Sequence, residues 1–163
     1  MRILGIDPGS RVTGFGVIDS DGRQSRHVFS GCIRTRSKDF SARLGEIYFG
    51  IRAVLEAHAP QEVAVEQVFM AANASSALKL GHARGAAVTA VVVAGLPISE
   101  YSPRAVKQAL VGTGAAEKEQ VQRMIRLLLG VRQPMSLDQS DALAVALCHA
   151  HTAANGARLR GVR

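Results

Sequence analysis

The chain begins with the stretch Met1-Arg-Ile-Leu-Gly-Ile-Asp-Pro-Gly-Ser-Arg-Val-Thr-Gly-Phe-Gly16, in which an apolar run stops at Asp7. The run suits a strand covered on both faces, and the Pro-Gly pair after it is a turn through which a central strand could not continue. Residues 12–18 resume with β-branched and aromatic side chains, which predicts the second strand of a hairpin. Asp7 is therefore expected at a strand end, where Gly14 and Gly16 leave room for another backbone.

The composition favours one domain that binds a polyanion. A chain of 163 residues, 47% of them hydrophobic, is long enough for one core and short for two. The formal net charge is +7, and the basic residues are spread along the chain, as is typical of nucleic-acid-binding surfaces. We predict a single domain over residues 1–153 and a short, disordered basic tail over residues 154–163.

The sequence predicts a cytoplasmic protein without a membrane partner. The apolar run at the N-terminus is interrupted by Asp7, and the longest later run, residues 85–98, is too short to span a bilayer. Cys32 and Cys148 form neither a CxxC pattern nor a disulfide framework. This usage fits a reducing compartment and argues against structural zinc.

The first two thirds of the chain predict a mixed α/β sheet. A turn at residues 19–22, with Asp19 and Asp21 in solvent, leads to a third strand at residues 27–33. Apolar residues from Phe40 to Val54 recur at helical spacing behind an Asp39 cap. A helix between this hairpin and the next strands implies parallel pairing for those strands. They are expected at residues 62–66 and 96–101.

The remaining helices carry most of the candidate functional side chains. The segment from Asn73 to Val93 is rich in Ala and Gly, and it is either a dimer contact or part of the core. Ser102-Pro103 starts a helix with Arg104 and Lys107 on one face. A further helix follows Gly112-Thr-Gly114 over residues 121–128, and the last helix begins near Leu137.

Four of the thirteen acidic residues adjoin apolar core elements. Asp7 and Glu66 end predicted strands, and Asp138 and Asp141 lie three apart on one face at the start of the last helix. Each has an ordinary alternative: an Asx-turn for Asp7, an exposed strand end for Glu66, and a favourable helix N-terminus for the other two. The case for a site rests on convergence of all four.

Converging carboxylates require protons or cations. At about 5 Å and an effective dielectric of 20, each pair repels by about 3 kcal/mol, so six pairs approach about 20 kcal/mol, more than a typical domain's stability. Oxygen ligands without His or Cys select Mg²⁺ or Mn²⁺. Two such ions imply phosphodiester hydrolysis, in which one generates the attacking hydroxide and the other stabilises the leaving oxygen.

Four motifs together resemble the RuvC family of Holliday-junction resolvases. They are the first hairpin with Asp7, Glu66-Gln-Val-Phe69, Ser-Pro-Arg-Ala-Val-Lys107, and Asp138-Gln-Ser-Asp141-Ala-Leu-Ala. The match covers about residues 1–150. It implies a ribonuclease H-like fold with a mixed five-stranded sheet, antiparallel at its start and then parallel, flanked by helices. The four carboxylates would then be catalytic metal ligands for two Mg²⁺ ions per subunit, with Mn²⁺ as a substitute.

The resemblance also implies a substrate and partners. A homodimer would nick two opposed strands of a four-way DNA junction, leaving 5′-phosphate and 3′-hydroxyl ends, in recombination and repair in the bacterial nucleoid. RuvA with RuvB would be its branch-migration partner. Phe69 would stack on a base, and Lys107 and Lys118 would contact phosphates near the cut. Arg104, beside Lys107, is a further DNA-binding candidate.

Three other functions fit parts of the pattern. An actin-like or sugar-kinase-like ATPase also starts with a hairpin that carries an Asp-x-Gly phosphate loop, but it needs two such domains. A YqgF-type nuclease acting on RNA is usually shorter and lacks the Thr-Gly-Phe-Gly sequence. A catalytically silent DNA-binding module would not benefit from four carboxylates, which repel phosphates.

Overall fold

A computed structural model describes residues 1–68 and 73–160, with side chains up to residue 156. The elements of this part of the chain, in order, are β1 (Arg2–Asp7), β2 (Val12–Ser20), β3 (Ser25–Arg34), α1 (Phe40–His58), β4 (Glu62–Glu66), α2 (Ala74–Val93), β5 (Ile98–Tyr101), α3 (Pro103–Val111), α4 (Lys118–Leu129) and α5 (Leu137–Arg160).

The strands form one mixed sheet in the order β3-β2-β1-β4-β5. β1, β2 and β3 pair antiparallel through two hairpin connections. Helix α1 then crosses over, so that β4 pairs parallel to β1 and β5 pairs parallel to β4. Asp39 caps α1 by accepting a hydrogen bond from the Ala42 amide. The predicted mixed sheet and its helical crossover are confirmed.

Alternation along the strands divides the core into two layers. Ile3 of β1 and Ala64 of β4 pack with α3, α4 and α5 on one face of the sheet. Leu4 and Val63, their neighbours in sequence, pack with α1 and α2 on the other. Because successive strand residues point to opposite faces, residues an even number of positions after Ile3 or Ala64 lie on the same face as α5. Asp7 is four positions after Ile3, and Glu66 is two positions after Ala64. This parity places Asp7 and Glu66 on that face.

Glycines let the backbone of α5 lie directly on the sheet. A Cβ added at Gly5 would overlap the carbonyl oxygen of Ala142, and one at Gly14 would overlap that of Asp138. A Cβ at Gly16 would lie 2.6 Å from a methyl carbon of Leu143. The room expected beside Gly14 and Gly16 is therefore filled by α5. Gly5, which the sequence did not single out, serves the same close approach.

Some predicted boundaries differ from those in the structure. β2 continues through Asp19 to Ser20, and Asp19 accepts two hydrogen bonds from Arg2 at 2.8 and 2.9 Å. The assignment of Asp19 to a solvated turn was therefore wrong, because the strand is longer and its end pairs with β1. Asp21 does lie in the turn.

The last helix also extends beyond the predicted end of the domain at residue 153. Helix α5 runs on to Arg160, so residues 154–160 continue a helix rather than begin a disordered tail at 154. Residues 161–163 lie outside the described part of the chain. None of the helices described is long and apolar enough to cross a membrane.

Candidate active site

Asp7 and Glu66 lie side by side at one edge of the sheet. They are the last residues of the parallel neighbours β1 and β4, whose register pairs Ile6 with Val65 one position earlier. Both side chains are only partly exposed. Each strand ends there because the chain turns away after it, so the two carboxylates meet where the backbone ladder stops.

Helix α5 brings the other two carboxylates to the same edge. Its start is fixed by a reciprocal pair of hydrogen bonds: the Ser136 hydroxyl accepts from the Gln139 amide, and the Gln139 side chain accepts from the Ser136 amide. The Gln139 side chain also donates to the Ser30 carbonyl on β3 at 3.1 Å. The first turn of α5, with Asp138 and Asp141, is thereby held against the sheet.

The sequence did not identify Gln139 or Ser136 as important. The signal was present, because Ser136-Leu-Asp-Gln139 has the Ser-x-x-Gln spacing of a capping box. The prediction that the last helix begins near Leu137 left Ser136 outside it and did not use this spacing. The bond from Gln139 to β3 had no signal in the sequence, since it joins residues more than a hundred positions apart.

The four carboxylates influence one another electrostatically. Burial raises the pKa of Asp7 to about 8, and the negative charges of Glu66, Asp141 and Asp138 act in the same direction. Burial also raises the pKa of Glu66, opposed by a hydrogen bond with Asp7 and by the positive charges of Lys118 and Lys107. The charges of Glu66, Asp138 and Asp141 all act on Asp7, so the structure brings the four predicted residues near one another at a partly buried edge.

Two lysines lie next to the four carboxylates. Lys118, the first residue of α4, contacts the Asp141 carboxylate at 3.1 Å, and that carboxylate raises the pKa of the Lys118 ammonium. Lys107 of α3 lines a cavity of about 240 Å³ with Glu66, Lys118 and Asp141. The cavity opens beside the carboxylates, so a bound phosphate would meet both lysines there.

Among the described DNA-binding candidates, Arg104 does not line this cavity. Arg104 is exposed on α3, and its side chain runs over Gly114, where a Cβ would come within 2.5 Å of the Arg104 Cγ. It lies one helical turn before Lys107. Phe69 falls within residues 69–72, outside the described part of the chain.

The donor set fits Mg²⁺ or Mn²⁺, although the side chains are not arranged around an ion. Over residues 1–68 and 73–160, no three carboxylate, imidazole or thiol groups stand in an arrangement that could hold a metal ion. Oxygen donors alone, with no His or Cys among them, match hard divalent cations. The raised pKa of Asp7 indicates that the cluster requires a proton or a cation. Rotation of these side chains, with release of Asp141 by Lys118, would be needed to surround an ion.

Comparison with known proteins identifies the family and the fold of this chain. The family model described as "Crossover junction endodeoxyribonuclease RuvC" matches residues 3–149. The chain belongs to the RuvC family. A protein of that name from Geobacter sp. (strain M21) is 56% identical over all of both chains. Another from Methylococcus capsulatus is 58% identical over 92% of this chain and 90% of the relative.

Solved structures extend the likeness to the whole RuvC fold. Thermus thermophilus RuvC in complex with a Holliday junction substrate is 38% identical, with a TM-score of 0.90 over 96% of each chain. The yeast mitochondrial Holliday junction resolvase Ydc2 has a TM-score of 0.64 at 10% identity, covering 94% of this chain and 85% of its own, which shows a shared fold only. The predicted ribonuclease H-like fold is confirmed, and RuvC family members are metal-dependent nucleases.

Proposed function

We propose that this chain is a structure-selective endonuclease that resolves four-way DNA junctions by paired, symmetric nicks. The products carry 5′-phosphate and 3′-hydroxyl ends that can be ligated, as recombination and repair require. The observation that carries the proposal is the gathering of four carboxylates and two lysines at one sheet edge, with the pKa of Asp7 raised to about 8. Family membership and the junction bound to the Thermus relative support it.

Asp7, Glu66, Asp138 and Asp141 are proposed to be the metal ligands and the catalytic residues. When bound, two Mg²⁺ ions, or Mn²⁺ in their place, supply a deprotonated water and stabilise charge on the leaving 3′ oxygen. The protein holds its carboxylates on three separate elements, β1, β4 and α5, so their spacing is set by packing and not by a flexible loop. Because the backbone positions are fixed, only rotation of the side chains is needed to surround an ion.

Lys107 and Lys118 are proposed to bind phosphates close to the cut. Lys118 holds Asp141 in the structure described, and an incoming phosphate offers its ammonium an alternative partner. Transfer of Lys118 from Asp141 to the substrate would free that carboxylate for a cation. Arg104 adds positive charge one turn away, and Phe69 is proposed to stack on a base beside the crossover.

The active form is proposed to be a homodimer that uses α2 as its main contact. Gly81 and Gly85 face open space in the single chain, since a Cβ at either would meet nothing within 4 Å. Leu78 and Val93 on the same helix are 64% and 69% exposed. Small residues beside exposed apolar ones permit close approach of a second copy, and a two-fold dimer matches the approximate two-fold axis of a four-way junction.

In the cell the dimer is proposed to work in the bacterial cytoplasm, at the nucleoid, with the RuvA–RuvB branch-migration complex. The support for this partner is family membership. Co-sedimentation of the protein with RuvA–RuvB on a four-way junction, against the junction alone, tests it.

The deciding experiment compares a labelled four-way junction with a linear duplex of matching sequence, with Mg²⁺ or a chelator. We expect paired nicks in the junction only, abolished by the chelator. Asp7→Asn should bind the junction and cut it more than about 100-fold more slowly, because loss of a direct ligand exceeds the 10- to 100-fold cost of losing a supporting residue.

Other outcomes identify the rival functions. Equal cutting of both DNAs would indicate a general nuclease, and binding without cutting would indicate a DNA-binding module. Cleavage of RNA in preference to the junction would favour the YqgF-type activity, and ATP binding would favour the ATPase. Each of these results contradicts the proposal.

The dimer contact is tested by sedimentation of Gly85→Glu beside Gly45→Glu. Both glycines lie in helices and face open space in the single chain, but Gly45 is on α1 and outside the proposed contact. We expect Gly85→Glu to sediment as a monomer and Gly45→Glu as a dimer. Two unchanged dimers would contradict the placement on α2.

A further inference from the structure

Four basic side chains line the β2–β3 side of the carboxylate edge. Arg11 lies in the turn after β1, Arg34 is the last residue of β3, and Arg36 and Lys38 follow in the loop that leads to α1. All four are exposed. We call these residues the basic strip. Lys107 and Lys118 instead line the cavity beside Glu66 on β4, the neighbour of β1 on the other side from β2.

Two loops are joined to form the strip. The Thr35 amide donates to the Arg11 carbonyl at 3.0 Å, and the Thr35 hydroxyl donates to the Ser10 carbonyl at 3.4 Å. The ladder between β2 and β3 pairs Val12 with Arg34 directly beside this bond. The basic residues after β1 and after β3 therefore share one surface, although more than twenty positions separate them.

The acidic groups near the strip are engaged with backbone amides. The Glu46 carboxylate accepts from the Ser37 hydroxyl and from the amides of Arg36 and Ser37, the last two at 2.7 and 3.0 Å. These bonds, chiefly the one from the hydroxyl, lower the pKa of Glu46. Asp39 accepts from the Ala42 amide as the cap of α1. Arg43, which also faces the loop, donates to the Ser37 carbonyl at 2.7 Å. These groups brace the loop.

The positive charges of the strip are not neutralised by nearby carboxylates among the described residues. Within the described part of the chain, none of its four side chains forms an ion pair with a carboxylate. A braced backbone with unneutralised positive side chains is the arrangement expected where a protein follows a phosphate backbone. Other exposed arginines, Arg23 and Arg26 among them, also form no ion pair in the described part of the chain, so the strip is distinguished by its position at the carboxylate edge and by its braced loops.

The distance from the cluster suits a duplex that passes across the sheet edge. β3 is two strands from β1, which corresponds to about 10 Å at the usual strand spacing. One turn of duplex DNA spans roughly 34 Å, so a helix arm that starts at the carboxylates would reach the strip within its first turn. Lys107 and Lys118, beside Glu66 and Asp141, would meet the same DNA close to the cut.

We propose that the basic strip binds the phosphate backbone of a duplex DNA arm that leads away from the cleaved phosphate. The inference rests on the proposed function and adds a second contact surface to it. Guanidinium groups match phosphate oxygens in pairs, so the strip would position the arm without reading its sequence.

The test measures binding of a synthetic four-way junction between 50 and 200 mM salt, with a chelator present to prevent cutting. It compares Arg11→Gln/Arg34→Gln with Arg23→Gln/Arg26→Gln. The control pair also loses two charges, but its arginines lie at the opposite end of the β2–β3 hairpin. We expect the strip variant to bind roughly tenfold more weakly and its salt slope to shrink by about 1.8, at about 0.9 per lost phosphate contact. The control should retain the wild-type slope.

Equal losses in the two double variants would overturn the proposal, because general charge would then explain binding. Arg11→Lys/Arg34→Lys keeps the charge and should restore the slope, and failure to restore it would also count against the strip. Melting temperatures equal to wild type verify folding of each variant. Cleavage of the junction by wild-type protein with Mg²⁺ is scored separately, so failure of the proposed function and failure of the strip give different results.

Discussion

Strand β1 begins and ends with a charged residue. At its start the charge is stabilised by an opposite charge, whereas at its end it is destabilised by burial and by like charges. At its start, Arg2 binds Asp19 in a pair that lowers the pKa of the aspartate. At its end, Asp7 is buried among carboxylates that, together with burial, raise its pKa to about 8. The first edge is arranged for stability. The second holds unfavourable charge that a cation would relieve, as is expected where function and stability compete.

The largest expected effect comes from closing the space that lets α5 reach this second edge. Gly14→Ala would put a methyl group into the Asp138 carbonyl, so we expect a loss of roughly 3 kcal/mol in unfolding free energy, at the upper end for overpacking. Urea unfolding measures it. Gly45→Ala on α1 has open space and should be slightly stabilising. Equal effects of the two substitutions would show that α5 does not press on β2.

The pH dependence of stability should separate the two edges. The Asp7 pKa is about 8 in the folded protein and 3.8 as a reference for the unfolded chain, so the folded state retains a proton that the unfolded state loses. In metal-free protein the stability present below pH 3.8 is lost as pH rises towards 8, by roughly 1 kcal/mol per pH unit between pH 5 and 7. Thermal unfolding in a chelator measures this. Asp7→Asn should flatten the decline, and an unchanged profile would contradict the buried carboxyl.

The tether between α5 and β3 gives a smaller effect. Gln139→Ala removes the reciprocal bond to Ser136 and the bond to Ser30, and we expect a loss of about 1 kcal/mol. Because Gln139 lies between Asp138 and Asp141 on α5, junction cleavage should slow while junction binding remains unchanged. Gln122→Ala on α4, which loses a single bond to the Met135 carbonyl, is a control for loss of an amide side chain. Equal cleavage by both variants would argue against a positioning role.

The smallest effect on stability is expected at the start of β1, where Arg2 pairs with Asp19. Asp19→Asn removes the ion-pair partner of Arg2, which still donates to the His58 carbonyl, and should lower Tm by about 1 to 2 °C at pH 7, because exposed pairs contribute little. The folded pKa of Asp19 lies below its unfolded value, so the pair stabilises the protein above that unfolded value and the gain is lost as pH falls through the folded pKa. The Tm difference between variant and wild type should therefore vanish in acid. A difference that persists in acid would rule out the ion pair as its source.

Much of the site was predictable because strand ends and helix starts have local signals. Asp7 before Pro-Gly, Glu66 at the end of an apolar run, and Asp138 and Asp141 one turn apart each follow from hydrophobic periodicity and turn residues. Asp19 was misplaced because its partner, Arg2, is distant in sequence, and a turn signal alone does not mark where a strand ends. Residue 154 was a poor boundary for a similar reason, since composition does not show where α5 stops.

The sequence by itself determined the order of strands and helices, the mixed sheet and the four carboxylates, because these depend on short-range patterns of apolar, turn and acidic residues. Only the tertiary structure decided that Gly5 and Gly14 seat α5 on the sheet, that Gln139 ties it to β3, and that Arg11 and Arg34 share a surface. Those relations join residues far apart in the chain. They follow from close packing and strand register, which local propensities do not specify.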